Sequence, residues 1–186
     1  MELAGQLRIQ AHANRLANHR LHSAMAGLSR EAFHAPRNSF FPSLAATLNH
    51  LLAVDEYYVG ALFRDGDLAA RYKAFLPADD LPALAARQAA SDVRLIGYCA
   101  TLDNKDCDTI VDMDRGREVQ RDRVGHVLAH LFMHQTHHRG QAHAMLAGTA
   151  VTPPQLDEFL MPSDAGLRAA DLATLGWSET TVFGVG

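Results

Sequence analysis

The sequence of 186 residues lacks the features that mark several large classes of protein. Its 17 basic residues are outnumbered by 21 acidic ones, so it has no positive surplus to neutralise nucleic-acid phosphates. No run of about 18 apolar residues is present to span a bilayer, and the N-terminal stretch does not resemble a signal peptide. The two cysteines form neither a disulfide framework nor a metal-type pair. We therefore expect a cytoplasmic protein that binds neither nucleic acid nor membrane.

Length and composition indicate one folded domain. Hydrophobic residues make up 48% and charged residues 20% of the chain, as is usual for a globular protein. A chain of this length can bury a substantial core. We expect a single domain over residues 1–186, with a core at about 2–148 and a C-terminal extension at 149–186.

Helical periodicity dominates the chain. Four long apolar-periodic segments are separated by connections rich in Pro, Gly and Asp. These segments lie at about residues 2–28, 43–63, 80–102 and 122–147. Ser43 and Asp79 or Asp80 are the expected N-caps of the second and third helices. The pattern predicts an all-α four-helix bundle.

Two shorter elements are predicted outside the four helices. Residues 107–120 have strand character, and Asp114-Arg-Gly116 is typical of the turn of a short β-hairpin, which would precede the last long helix. A short helix is expected at 164–175, within the C-terminal extension.

The last long helix is rich in histidine. Five of the 11 histidines lie within HVLAHLFMHQTHHRGQ, residues 126–141. Four of them occur at a strict interval of four residues: His126, His130, His134 and His138. At about 100° per residue, His130, His134, His138 and Gln141 project towards one apolar face, which we expect to face the bundle interior.

This spacing raises the question of a metal site. Two histidines at i and i+4 can bind one cation at about 2.0–2.1 Å, and His50, on the apolar face of the second helix, could supply a third ligand. An inward histidine is nevertheless often a hydrogen-bonded core residue, so spacing alone leaves both interpretations open. The HExxH motif of zinc peptidases is absent because position 135 is Gln, which argues against a peptidase of that type.

Two stretches resemble a known family. LNHLLAVDEYYVGAL, which contains His50, and HLFMHQTHHRGQAHAML resemble the DinB/YfiT-like family, which is founded on a damage-inducible bacterial protein. The N-terminal ANRLANHRL is similar to the family's first helix, and the likeness extends to about Leu146. It implies a four-helix bundle of up-down-down-up order, frequently a homodimer, with a divalent metal held by His50, His134 and His138.

The resemblance also implies a range of functions. Three imidazole ligands leave a coordination position open, as in catalytic sites, and suit zinc or nickel best, with iron or manganese as further candidates. Relatives in the wider superfamily include thiol-dependent transferases, so a low-molecular-weight thiol is one expected substrate and hydrolysis a second expected reaction. The alternative is a non-catalytic metal-binding stress-response protein.

Three residues are expected to support such a site. His130 projects towards the same face as the other two histidines and could lie behind them or simply pack. Gln141 could orient His138 or His134 through a hydrogen bond. Tyr57 lies near the His50 face of the second helix, and its hydroxyl could reach a metal-bound ligand.

Several polar residues outside the site also carry expectations. Asn14 lies on the apolar side of the first helix and is expected to be buried and hydrogen-bonded. Asp55 and Glu56 point away from His50 and are expected at the surface. Arg139 is expected in solvent or paired with a carboxylate at the bundle mouth or a dimer interface. Gly140, inside a helix, suggests close approach of a neighbouring helix.

Overall fold

Capping side chains set where two of the long helices begin in the computed structural model, which describes residues 2–184. Ser43 Oγ accepts a hydrogen bond from the backbone N–H of Ala46 at 3.0 Å. Asp80 Oδ1 accepts one from the N–H of Ala83 at 2.8 Å. Both caps were expected from the sequence, since a short oxygen-bearing side chain satisfies a backbone donor that has no partner within the helix.

Helices dominate the part of the chain that the structure describes. The long ones are α1 (Leu3–Met25), α3 (Leu44–Leu62), α5 (Leu81–Thr101) and α6 (Val124–Leu146). The short ones are α2 (Arg30–His34), α4 (Leu68–Lys73), α7 (Ala165–Leu175) and α8 (Glu179–Phe183). The sequence predicted α7 but not α2, α4 or α8, because five or six residues are too few to show a helical period. Within residues 2–184, no helix is both long and apolar enough to cross a membrane.

A β-hairpin precedes α6, as predicted. Strands β1 (Ile110–Asp114) and β2 (Val119–Arg123) pair in antiparallel register. Gly116 adopts a φ of 84° in the turn, a conformation that glycine reaches without steric cost. The hairpin lies three residues further along the chain than the predicted stretch 107–120 and includes Asp122, which was predicted to begin the histidine helix. That helix begins at Val124 instead.

The four long helices form a bundle of up-down-down-up order. Helix α1 runs antiparallel to α5, α3 runs antiparallel to α6, and α3 runs parallel to α5. The contacts Arg8–Leu102 and Asn18–Asp92 give the direction of α1 against α5. His50–His134 and Tyr58–His130 give that of α3 against α6. Asp55–Gln88 and Asp65–Arg94 give that of α3 and the turn after it against α5. Each long helix therefore packs on two of the others, and the pairs α1/α3 and α5/α6 lie across the bundle diagonals.

A layer of polar side chains divides the core of the bundle. One apolar cluster joins the N-terminal half of α1 to the hairpin end of α6, and a second joins the C-terminal ends of the same two helices. Between them lie seven buried polar residues, which we call the polar layer: Asn14, Asn18, Asp55, Gln88, Asp92, Gln135 and Arg139. Asn14 is buried and bonds to Asp92 and Arg139, as predicted.

The C-terminal extension packs along α1. Phe159 and Leu172 form a small apolar cluster with Leu16. The Arg20 guanidinium bonds the Asp171 carboxylate at 2.7 Å. These contacts fasten α7 and the preceding turn to the outer surface of the bundle.

Candidate metal site

Three histidines from two antiparallel helices come together where α3 faces α6. Nε2 of His50 lies 3.2 Å from Nε2 of His134, and His138 follows one turn along α6. One ring nitrogen from each of the three residues lies within 4.8 Å of the other two. Two nitrogens bound tetrahedrally to one zinc ion at 2.0–2.1 Å lie about 3.3 Å apart. The group, called the triad below, is therefore compatible with a metal site, and its His50–His134 pair already has the separation that one zinc ion requires.

The triad is electrically neutral near pH 7. Burial lowers the pKa of His134 to about 3, and the neighbouring His138 and His50 lower it further. Burial also lowers the pKa of His50 and of His138. A neutral imidazole has a free lone pair, and this is the form that binds a metal. The site thus offers three nitrogen donors without first releasing protons.

A hydrogen bond fixes the tautomer and ring orientation of His138, whereas His134 has no such bond. Nδ1–H of His138 donates a hydrogen bond to Gln141 Oε1 at 2.8 Å, which leaves the lone pair of His138 Nε2 free to bind a metal. The Gln141 amide nitrogen in turn lies 3.2 Å from Nε2 of His137. Nδ1 of His134 is buried and has no hydrogen-bond partner within residues 2–184. Gln141 is thus hydrogen-bonded to His138, one of the two histidines that it was expected to orient.

Phe41 borders the triad and was not anticipated from the sequence. Its ring stacks on the His50 imidazole, with centroids 4.4 Å apart and planes 29° apart, and its centroid lies 5.6 Å from that of His138. The available signal was a pair of adjacent phenylalanines immediately before Pro42 and the cap of the helix that carries His50. A surface cleft of 420 Å³ opens on another side of His50 and reaches Phe75.

Two of the expected supporting residues lie elsewhere. His130 is exposed to solvent rather than directed into the bundle; its ring centroid is 6.2 Å from that of His134 and 5.3 Å from that of Tyr58. Tyr57 is buried, but its hydroxyl donates to the backbone carbonyl of Asp114 at 2.7 Å. Tyr57 therefore anchors the hairpin on α3 and does not reach the triad.

The expectation that Asp55 lies at the surface was wrong. Its side chain is buried in the polar layer, where Oδ2 accepts hydrogen bonds from the amides of Gln88 and Gln135. Burial and the nearby Asp92 raise the pKa of Asp55 well above its usual value. Glu56, by contrast, forms the expected surface ion pair, with Arg87 at 3.0 Å.

Arg139 is also buried, contrary to expectation. Its guanidinium donates to Asn14, Asn18 and Gln135 within the polar layer. Burial lowers the pKa of Arg139 to about 10, so it stays charged at neutral pH. Gly140 is exposed and a Cβ there would meet no atom within 4 Å, so no neighbouring helix explains this glycine.

These features define a class of protein: a four-helix bundle of up-down-down-up order with a three-histidine group between its second and fourth long helices, suited to a metal ion. The model of the DinB family matches residues 10–169, and the chain belongs to that family. The match continues past Leu146, where the likeness in sequence was expected to end, and includes part of the C-terminal extension. No curated protein matches the sequence.

Proposed function

We propose that this protein is a metalloenzyme that holds a divalent cation, zinc or nickel, on His50, His134 and His138 and activates a low-molecular-weight thiol for transfer to an electrophile. The observation that carries this proposal is the convergence of three neutral imidazole nitrogens within 4.8 Å. When bound, such a metal supplies Lewis-acid chemistry that lowers the pKa of a coordinated thiol. The same chemistry would support hydrolysis, which is the second candidate reaction.

Two residues beside the triad would hold its imidazoles in position. Gln141 holds His138 in one tautomer, and Phe41 restricts the rotation of His50 by stacking on its ring. The 420 Å³ cleft beside His50 has largely apolar walls, formed by residues that include Ala46, Ala53 and Phe75. We assign this cleft to the apolar part of the electrophile.

The first test is the metal content of protein purified without a histidine tag. Elemental mass spectrometry should find about one zinc or nickel per chain in wild type and none in His50→Ala or His134→Ala. His130→Ala is the matched control, since His130 is an exposed histidine of the same helix, and it should retain the metal. Wild type without metal even after reconstitution would refute the proposal.

The second test concerns the reaction. The metal-loaded protein should consume a model electrophile in the presence of glutathione, bacillithiol or mycothiol, and a chelator should abolish turnover. An ester panel assayed without thiol tests hydrolysis in parallel. Metal binding without metal-dependent turnover on either panel would exclude both reactions for these substrates.

A non-catalytic role is the alternative, and one observation favours it. The triad joins α3 to α6, so a bound metal would cross-link two antiparallel helices and stabilise the bundle. A stress-response or metal-sensing protein of this kind should melt at a much higher temperature with metal than without it. Such a shift in the absence of turnover would support the alternative over the enzyme.

We further propose that the chain forms a homodimer through the exposed face of α6. That face carries no Asp, Glu, Lys or Arg, and its members are His126, Ala129, His130, Met133, Thr136, His137, Gly140 and Ala144. A twofold interface places each residue near its own copy, so an uncharged face can pair with itself without repulsion. Light scattering should give twice the chain mass for wild type, and Met133→Glu should dissociate the dimer; a monomeric wild type would refute the proposal.

We also propose a cytoplasmic location, which agrees with the proposed thiol chemistry. Cys99 and Cys107 are both free and buried, as expected where thiols stay reduced. A fluorescent fusion or cell fractionation tests the location, and recovery outside the cytoplasm would contradict it.

A further inference from the structure

A second cavity, lined by none of the three triad histidines, opens at the C-terminal end of α1. It has a volume of 430 Å³ and opens between the C-terminal end of α1, α2 and the first turn of α5. The triad lies between α3 and α6, and none of its three histidines lines this cavity. The cavity is therefore independent of the proposed metal site.

One cationic side chain of this cavity has no hydrogen-bond partner. Arg15 keeps only 13% of its side chain exposed, and its guanidinium makes no hydrogen bond within residues 2–184. Its nearest carboxylate, Asp92, is 3.8 Å away and already accepts hydrogen bonds from Asn14, Asn18 and Gln88. The nitrogens of Arg15 are not among the fully buried unpartnered atoms, so they reach the cavity. A largely buried guanidinium is thus presented to whatever enters.

His22 lines the same cavity about two helical turns along α1 from Arg15. The residue is 8% exposed, and its ring nitrogens make no hydrogen bond in the described chain, yet they too are open to the cavity. Burial and the charge of Arg15 lower the pKa of His22 to about 3. A neutral imidazole can donate one hydrogen bond to an anion through its N–H.

The other charges around the cavity are already paired. Arg30, on the rim, forms a bidentate ion pair with Asp79. Asp80 uses its carboxylate to cap α5. Apolar side chains, Leu28, Phe33 and Leu81 among them, form much of the remaining wall. The cavity therefore combines an apolar interior with one guanidinium, that of Arg15, which has a long ion pair with Asp92 but no hydrogen bond.

We propose that this cavity binds a small organic anion, a carboxylate on a short apolar body, with the carboxylate on Arg15 and His22. A guanidinium binds a carboxylate through two parallel hydrogen bonds, and the apolar wall accommodates the rest of the molecule. Inorganic phosphate would leave that wall uncovered and would meet only one guanidinium that is free of hydrogen bonds. The ligand class is thus an organic carboxylate rather than a free phosphate.

The test compares hexanoate with hexanamide, which share a hydrocarbon chain and differ in charge. Binding is followed by two-dimensional NMR on protein as purified and after chelator treatment, so that coordination of the carboxylate to a metal is distinguished from binding at Arg15. Hexanoate should bind at least tenfold more tightly than hexanamide in both samples, with shifts centred on Ser23, Ala26 and Ala85. Equal binding of the two compounds, or shifts centred on His50 and His138, would overturn the proposal.

Two variants make the assignment specific. Arg15→Gln should abolish the preference for hexanoate, whereas Arg30→Gln, which removes a rim guanidinium already paired with Asp79, should change it less than threefold. Ala85→Leu narrows the cavity and leaves Arg15 unchanged, so it should weaken the binding of both hexanoate and hexanamide. This second variant keeps the proposal testable if Arg15→Gln does not fold. Loss of the preference in Arg30→Gln, or its persistence in a folded Arg15→Gln, would overturn the proposal.

Discussion

Replacing Arg139 by Met should destabilise the bundle more than any exposed charge substitution. The change removes the hydrogen bonds to Asn14, Asn18 and Gln135 and leaves their side-chain oxygens without this donor. It also removes the only arginine of the polar layer, beside the buried carboxyl groups of Asp55 and Asp92. Met fills a similar volume, so the loss comes from electrostatics and hydrogen bonding rather than from a cavity.

The expected loss is about 3–5 kcal/mol in the free energy of unfolding, since removal of one partner leaves buried polar groups and charge uncompensated. Domains of this size are stable by about 5–15 kcal/mol, so the variant should be marginal but measurable. Arg121→Met is the matched control, because Arg121 pairs with Asp112 on the hairpin with 71% of its side chain exposed. Its loss should stay below about 1 kcal/mol.

The pH dependence of the loss identifies its cause. Burial raises the pKa of Asp92 to about 6, against about 3.9 for an unfolded chain. The folded state therefore binds the extra proton, and this stabilisation, complete below about pH 4, is lost as the pH rises through 6. Arg139 lowers the pKa of Asp92, so without it the loss should continue above pH 6, at up to about 1.4 kcal/mol per pH unit.

Urea unfolding of chelator-treated protein at pH 5 to 8, followed by circular dichroism, measures these quantities. The difference between wild type and Arg139→Met should widen with rising pH, and Asp92→Asn in the same chain should reduce it. A loss below 1 kcal/mol, or one independent of pH, would refute the account of the polar layer as a charge-compensated network.

Three further predictions concern single side chains. Burial lowers the pKa of His22 to about 3, so as the pH falls from about 6.5 towards 3 the unfolded chain binds a proton there before the folded chain does. The free energy of unfolding of wild type should therefore fall by up to about 1.4 kcal/mol per pH unit through this residue, and His22→Phe should lack that contribution. Equal pH slopes of the two proteins in acid unfolding would contradict this prediction. Gln141→Leu should weaken metal binding about 10- to 100-fold in a chelator competition assay, because His138 loses the acceptor of its Nδ1 proton, and an unchanged dissociation constant would show that Gln141 does not orient His138. Gly140→Ala should raise the free energy of unfolding by up to about 1 kcal/mol, since the single chain has room for a Cβ there. A destabilised variant would indicate a close neighbour at this position, such as the partner in the proposed dimer.

The bundle and the shared face of His134 and His138 could be predicted from the sequence because both follow from local periodicity. Histidines at i and i+4 must lie on one side of a helix, and the capping oxygens of Ser43 and Asp80 directly precede apolar runs. The hairpin could be predicted for the same reason, since its turn signal is local. The position of His50 opposite His134 also required the resemblance to the family, because no local rule pairs one helix with another.

The polar layer could not be predicted, and its presence explains the wrong placement of His130. The buried residues of α6 centre about 80° around the helix from His134, on the side of Leu131, Gln135 and Ala142. Charged Arg139 was expected in solvent or paired at the bundle mouth or a dimer interface, whereas the predicted apolar face was centred near His134 and included His130. Burial of Arg139 depends on partners from α1, more than a hundred residues away along the chain, and no pattern within α6 reveals them.

The packing of the C-terminal extension on α1 has a consequence for folding during synthesis. A ribosome completes α1 before any of the segments on which it packs: α5, α6 and the extension, whose Asp171 lies 151 residues beyond Arg20. Until those segments emerge, the apolar stripe of the first helix has no native partner. Such a nascent helix is a natural client for chaperones, and the long separation predicts slow completion of folding.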